Sequence, residues 1–187
     1  MIQTCRTTGH THQHTYNLDD HDRVDPPMAE GGCSPAAADA HNALYSWMKV
    51  GGVMVQLATG TAADGTTWEL DVSGGAEDLH TMVSQKRPDG RTPWGGGCGG
   101  PAVPPGRRVT VSMGVADDAM RTFIARVSAD VRAVVVTLSD GTREDLILHG
   151  DPAELGARVA VLLYDRELDV HRVDLLGHDG QTLPEEQ

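Results

Sequence analysis

The sequence predicts a mainly β protein: an antiparallel β-sandwich that follows one short helix and a disordered or partner-ordered N-terminal arm. Two observations predict this fold class. From residue 53 onward, about eight or nine short apolar runs with alternating pattern follow one another at intervals of roughly ten residues. Turn-forming residues separate these runs, and only one stretch has helical periodicity. We therefore expect antiparallel hairpins that pack face to face.

The clearest hairpin signal lies between the runs at 131–138 and 143–149. Asp140 and Gly141 stand between these runs, and Asp-Gly suits a tight turn because glycine adopts positive φ without steric cost. A third run at 158–164 follows a loop around Pro152. Three consecutive strands are therefore expected here.

The same reasoning predicts strands elsewhere and one long loop. The loop covers 86–106, where proline and glycine are so frequent that we expect no regular structure. The remaining predicted strands are 53–57, 68–72, 79–83, 109–115, 120–127, 170–176 and 181–183.

Composition divides the chain into an arm, a helix and a sandwich domain. Residues 1–33 are polar and rich in histidine, with too little apolar area to offset the entropy of ordering, so a flexible arm is expected. Residues 34–50 are predicted to form an amphipathic helix, because Ser34 can cap its start and Pro35 suits the first helical position. The sandwich domain occupies 51–187.

The helix presents candidate interface residues. Leu44, Trp47 and Met48 fall on one face, and aromatic and methionine side chains are favoured at interface cores. The alternative is that this face packs on the chain's own sheets. Trp94, in the glycine-rich loop, is a further interface candidate, and its alternative role is packing beneath that loop.

Charge and cysteine content limit the classes of function. The net charge of −12 opposes nucleic-acid binding, so no nucleic-acid partner is expected. No apolar stretch is long enough for a membrane span, and the first residues lack a signal-peptide core. A cytoplasmic protein with reduced cysteines is predicted, although one bridge between Cys33 and Cys98 is an open alternative.

The N-terminal arm contains a candidate metal site. His10, His12 and His14 alternate with other residues, and Cys5 lies nearby. Imidazole and thiolate are the ligands that zinc, nickel and copper prefer. The alternative is a solvated tail whose histidines bind nothing, in which case the protein has no cofactor.

The sequence supports a catalytic function less strongly than it supports a metal site. Cys98 could be an exposed nucleophile with a histidine as base, but nothing in the sequence brings it near a histidine; the candidate bases are His80, His149, His171 and His178. The glycine run at 95–100 lacks the Gly-Lys-Ser/Thr ending of a phosphate-binding P-loop. The chain is therefore predicted not to be an enzyme.

From residue 60 to 183 the order of motifs resembles a group of uncharacterised actinobacterial proteins that have a small immunoglobulin-like β-sandwich. The resemblance rests on the Gly95–Gly100 loop with Cys98, on 60–61 (GT) and 127–131 (VSADV), and on three longer segments. These segments are 64–70 (DGTTWEL), 136–142 (VTLSDGT) and 173–180 (VDLLGHDG). The resemblance implies an immunoglobulin-like fold and no particular activity. Where those proteins carry a second cysteine on an earlier strand, this chain has none at 79–83.

Together these observations predict a non-catalytic β-sandwich that acts as a binding or assembly module through protein-protein contacts. The expected partner is another protein or a second copy of the chain, and the arm and helix are expected to become ordered against it. The alternative function is a metal-binding protein, a sensor or carrier of Zn, Ni or Cu, that uses His10, His12, His14 and Cys5.

Overall fold

The structure, a computed structural model, describes residues 2–7, 10–15, 53–115 and 119–186. The chain within these ranges is mainly β and its strands pair antiparallel, as the sequence predicts. The elements in chain order are β1 (Ile2–Thr7), β2 (His10–Thr15), β3 (Val55–Thr61), β4 (Thr67–Gly75), β5 (Asp78–Lys86), β6 (Trp94–Cys98), β7 (Val109–Val115), β8 (Arg121–Val127), β9 (Ala133–Leu138), β10 (Arg143–Leu146), α1 (Pro152–Leu155), β11 (Arg158–Tyr164), β12 (Val170–Leu176) and β13 (Thr182–Leu183).

The described strands form three sheets. Sheet A has the order β3-β4-β5-β6, sheet B the order β11-β8-β7-β1-β2, and sheet C the order β10-β9-β12-β13. The predicted two-sheet, immunoglobulin-like arrangement is therefore not confirmed. What the structure supports is the coarser statement that antiparallel sheets pack on one another.

Two apolar cores show that sheet B is the middle layer. The first core joins sheets A and B; it contains Leu70, Val72, Leu79 and Val83 from sheet A with Ile124, Val159, Val161 and Leu163 from sheet B. The second core joins the opposite face of sheet B to sheet C; it contains Phe123, Ala125, Val127, Ala160 and Tyr164 with Val134, Val136, Leu138 and Leu175. Alternate residues of one strand therefore enter different cores.

Strands β8 and β11 are covered on both faces. Every residue from Thr122 to Val127 is buried, and Val159 to Val161 are buried in the paired strand. Sequences of this kind read as nearly continuous apolar runs, because neither face meets water. The run at 122–127, apolar except for Thr122 and Arg126, reflects this position in the middle layer.

The predicted Asp-Gly turn between β9 and β10 is confirmed. Asp140 accepts hydrogen bonds from the backbone N–H and the hydroxyl of Thr142, at 2.8 and 2.9 Å. Gly141 has φ of 87°, in the left-handed region that glycine tolerates. The same two bonds join Asp64 to Thr66 at the turn between β3 and β4. The two hairpins are therefore closed by the same turn chemistry.

The prediction of no regular structure over 86–106 was wrong for part of that range. Trp94–Cys98 forms β6, which pairs with β5 at the edge of sheet A. Glycines weaken a strand, but they also let backbones approach closely. That second property decides the outcome here, because β6 lies directly against the backbone of β7.

The N-terminal predictions have mixed outcomes. The predicted helix at 34–50 lies outside the described residues. Within the described residues the helix is α1, which Asp151 caps by accepting from Ala153 N–H at 2.8 Å. Within the predicted flexible arm, 2–7 and 10–15 form the hairpin β1-β2, and β1 pairs with β7 of sheet B. The rest of the arm lies outside the described residues.

Candidate functional site

The glycine-rich strand β6 meets sheet B at a close backbone contact. A Cβ atom placed on Gly114 of β7 would lie 2.5 Å from the carbonyl oxygen of Gly95 and 3.0 Å from the Cα atom of Gly96. Real Cβ atoms do not approach backbone atoms so closely. Glycine at position 114 is therefore required for the two sheets to pack at this distance.

A polar cluster lies just beyond this contact. Arg126 is 3 % exposed and lies on the face of β8 that packs toward sheet A. Its guanidinium donates to the carbonyl oxygens of Leu79, at 2.7 Å, and of Gly100, at 3.3 Å. A third N–H points to the sulfur of Cys98 at 3.8 Å. The side chain therefore ties β8 to the start of β5 and to the segment that follows β6.

Cys98 shares this cluster and is 1 % exposed. Its thiol is bonded by the side chain of Ser112 and donates to the carbonyl of Gly99. Thr110 is the residue opposite Arg126 in the register of β7 and β8, and it is also buried. Cationic, hydroxyl and thiol groups thus meet between two sheets.

Electrostatics make Cys98 a poor nucleophile. Burial raises the pKa of the Cys98 thiol, and the nearby charge of Arg126 and the hydrogen bond with Ser112 oppose that rise without cancelling it. Burial lowers the pKa of Arg126, against the attraction of Cys98 and Asp78, but a guanidinium stays charged in proteins. Activated thiols are partly exposed and have a lowered pKa. The cluster therefore has the properties of a structural hydrogen-bond network between the two sheets.

The histidines proposed as bases are dispersed. His80 lies beside the segment that follows β6, because a Cβ atom placed on Gly99 would lie 2.6 Å from its Nδ1. Its Nε2 is 3.1 Å from Asp78 Oδ2. His149 forms an isolated bridge with Val159, and burial lowers its pKa. The other two, His171 and His178, are exposed on β12 and the following turn.

The glycine run at 95–100 also does not have the geometry of a phosphate-binding loop. Gly95, Gly96 and Gly97 are buried within β6, so their backbone is not presented as an open cradle. A separate open cleft of about 280 Å³ is lined by two carboxylates, two guanidinium groups and three uncharged side chains: Asp64, Thr66, Arg87, Ala119, Met120, Asp165 and Arg166. Its charges are mixed in sign, which favours neither an anionic nor a cationic ligand.

The register of the N-terminal hairpin relates the predicted metal ligands to one another. His10, His12 and His14 are alternate residues of β2, and Cys5 of β1 is the partner of His12. On its other side Cys5 is the partner of Ser112 in β7. Cys5 and His12 therefore occupy the face of sheet B on which Ser112 lies.

The predicted interface residues are not brought together by the described structure. Leu44, Trp47 and Met48 lie outside the described residues, as does Cys33. Trp94 is the first residue of β6, and its backbone pairs with Ser84 of β5. Whether these residues form an interface stays a prediction.

Sequence reasoning missed Arg126, the central group of the buried cluster. The available signal was a single charged residue inside the apolar run at 122–127. A buried charge needs partners, so an arginine at that position predicts carbonyl or anionic groups on the facing sheet. The sequence does not say which segment supplies them.

Comparisons with known proteins do not extend this description. No protein-family model, no curated protein and no solved structure matches the chain. No helix within the described ranges has the length and apolar character needed to cross a membrane. Among the side chains that the structure describes, no three His, Cys, Asp or Glu residues form a group that could hold a metal ion. The chain is thus defined by its fold, a mainly β protein of three antiparallel sheets in its described parts.

Proposed function

We propose that the protein is a non-catalytic assembly module in which the N-terminal strand of one chain pairs with the edge of sheet B in a second copy. One observation carries the proposal. Strand β1, at the start of the chain, is paired with β7 from Ile2 opposite Val115 to Arg6 opposite Val111. Strand addition of this kind supplies main-chain hydrogen bonds to an otherwise open edge.

The edge of β7 needs such a strand. An unpaired strand at the edge of a sheet presents a row of N–H and C=O groups that pairs readily with another chain. Both faces of sheet B are covered by apolar cores, so its edges are where a partner can join the backbone ladder. At the opposite edge, β11 is bridged at Val159 by His149.

The length of chain between the arm and the sheets permits exchange between copies. Strand β2 ends at Thr15 and β3 begins at Val55, so about 39 residues connect them, enough to span tens of ångströms in extended form. The same β1-β7 pairing then forms within one chain or between two. Exchange of an identical element between protomers is a common route to dimers.

The buried cluster supports a non-catalytic function. The raised pKa and the burial of Cys98 oppose nucleophilic chemistry. Arg126 donates to backbone carbonyls, which is a structural use of a guanidinium. Both groups serve to hold β6 in place on sheet B.

The test measures native mass over a wide range of protein concentration. We compare the full chain with a variant that lacks residues 1–15, and we add a synthetic peptide of residues 1–15 to that variant. The full chain is expected to form a dimer or larger oligomer, the shortened variant to be monomeric, and the peptide to bind it. A peptide with Thr4→Pro is the matched control, because proline disrupts strand pairing. A full chain that stays monomeric at every concentration would overturn the proposal.

A further inference from the structure

A methionine is buried on the outer face of sheet A, the face that lies away from sheet B. In β5, Leu79 and Val83 enter the core between sheets A and B, and Met82 alternates with them and lies on the opposite face. Met82 is nevertheless only 6 % exposed, and it belongs to neither of the two cores that the described residues form. An antiparallel sheet can leave one face to water, but the burial of this side chain shows that the outer face is covered.

Among the described residues, the neighbours of Met82 on this face do not account for its burial. Its partner in β6 is Gly97, which has no side chain, and its partner in β4 is Asp71. The ring of His80 lies against the segment that follows β6. Burial raises the pKa of Asp71, and Ser73, the next residue of β4 on this face, is 8 % exposed. The covered area therefore extends over both β4 and β5.

The segment 16–52, which lies outside the described residues, ends at the edge of this sheet. It joins β2 to β3, and β3 is the neighbour of β4 in sheet A. From Val53, Met82 lies two strand spacings of about 4.8 Å across the sheet and three residues of about 3.4 Å along it. The distance is therefore about 14 Å. The six residues from Trp47 to Val53 span up to about 20 Å when extended, so the end of the segment reaches Met82.

We propose that segment 34–50 of the same chain docks on the outer face of sheet A, with its apolar side against Met82. Its residues Leu44, Trp47 and Met48 recur at helical spacing. The glycines at 51–52 allow the chain to turn back over the sheet before β3 begins. A helix and a sheet face that pack together withdraw the apolar side of each from water. Sheet A is then covered on both faces, as sheet B is.

The experiment measures how fast a maleimide labels a cysteine at position 82. Met82→Cys is combined with Cys5→Ser and Cys33→Ser in the full chain, and mass spectrometry of peptides separates label at position 82 from label at Cys98. Slow labelling of position 82 is expected in the native protein, because a reagent reaches a buried site only when its cover opens.

The decisive variant changes the apolar side of the segment. Leu44→Ser, Trp47→Ser and Met48→Ser together should make labelling of position 82 about tenfold faster or more, because the cover then opens readily. The matched control is Asn42→Ala with Ser46→Ala, on the opposite side of the predicted helix, and it should leave the rate unchanged.

Labelling of Cys98 reports whether the sheets stay folded, since its thiol is 1 % exposed. It should remain slow in every variant. Equal rates at position 82 with and without the three serines would overturn the proposal. Fast labelling in Trp94→Ser but not in the triple variant would overturn it as well, because the cover would then be the indole of β6. Protection that is lost on dilution would assign the cover to a second copy and would also overturn it.

The labelling result is independent of the assembly proposal. The three serine substitutions leave residues 1–15 unchanged, and native mass tests whether β1 pairs with sheet B of a second copy. A dimer with a rapidly labelled position 82 overturns the docking site alone, and a monomer with a protected position 82 overturns the assembly module alone.

Discussion

The close contact between β6 and β7 gives the most direct test of how the sheets pack. Gly114→Ala adds a methyl group that would lie 2.5 Å from the carbonyl oxygen of Gly95 and 3.0 Å from Gly96 Cα. Both obstacles are backbone atoms, so the conflict is relieved only if the strands move apart. Restoring ordinary van der Waals contact requires a shift of about 1 Å, which weakens the dispersion contacts of the atoms nearby.

The expected loss of stability follows from that shift. Overpacking a core by one methyl group costs about 1–3 kcal/mol. For a domain of this size, 1 kcal/mol lowers Tm by about 2–4 °C, so a fall in Tm of about 2–12 °C is expected. Urea unfolding monitored by tryptophan fluorescence measures the free energy, and an unchanged m-value would show that the same surface is exposed on unfolding.

Gly75→Ala is the matched control for this experiment. Gly75 lies at the end of β4, and the nearest obstacle to its Cβ is the carbonyl oxygen of Glu154 at 3.6 Å, an ordinary contact. This substitution should change stability by less than about 0.5 kcal/mol. If Gly114→Ala and Gly75→Ala unfold at the same urea concentration, the close packing of β6 on β7 is wrong.

Three further predictions concern the buried cluster and one ion pair. Arg126→Met should reduce the free energy of unfolding by about 3 kcal/mol, since two charge-assisted hydrogen bonds to carbonyls are lost. The control variant Arg132→Met, at an exposed position, should have little effect. Equal stability of the two variants in urea would contradict the role of Arg126. In a variant with Cys5→Ser and Cys33→Ser, a maleimide should modify Cys98 slowly in the native state and rapidly in urea, because the thiol is buried and its pKa is raised. Rapid modification of Cys98 in the native state would instead support the hypothesis that it is a nucleophile. Hydrogen bonds from Ser128 and Arg108 lower the pKa of Asp130, so its stabilising effect is complete above the unfolded-state pKa and is lost as pH falls through the folded-state value. Unfolding of Asp130→Asn should accordingly depend less on pH in the acid range than unfolding of the wild type, and parallel pH profiles would refute this.

Local sequence pattern was sufficient to predict most strands, because period-two alternation and Asp-Gly turns act over a few residues. Gly141 and Asp140 form the turn that their identities require. Strand β6 was missed for a physical reason: Gly95, Gly96 and Gly97 have low strand propensity, and their contribution arises only when another backbone lies against them.

The number of sheets could not be predicted in the same way. Alternation tells which residues share a face, but it does not tell what covers that face. In β8, Ile124 enters one core while Phe123 and Ala125 enter the other, and the sequence does not show that each face is covered by a different sheet. The partners of Arg126 were hidden for a similar reason, because they are backbone carbonyls that any residue can supply.

The middle position of sheet B has a consequence for how the molecule unfolds. Strands β8 and β11 contribute to both cores, one through each face. Opening either core therefore displaces strands whose opposite faces are buried in the other core. The two cores are therefore expected to behave as a single cooperative unit, with one unfolding transition. Amide hydrogens of Phe123, Ile124 and Ala125 should be among the last to exchange with solvent, since they are released only by global opening.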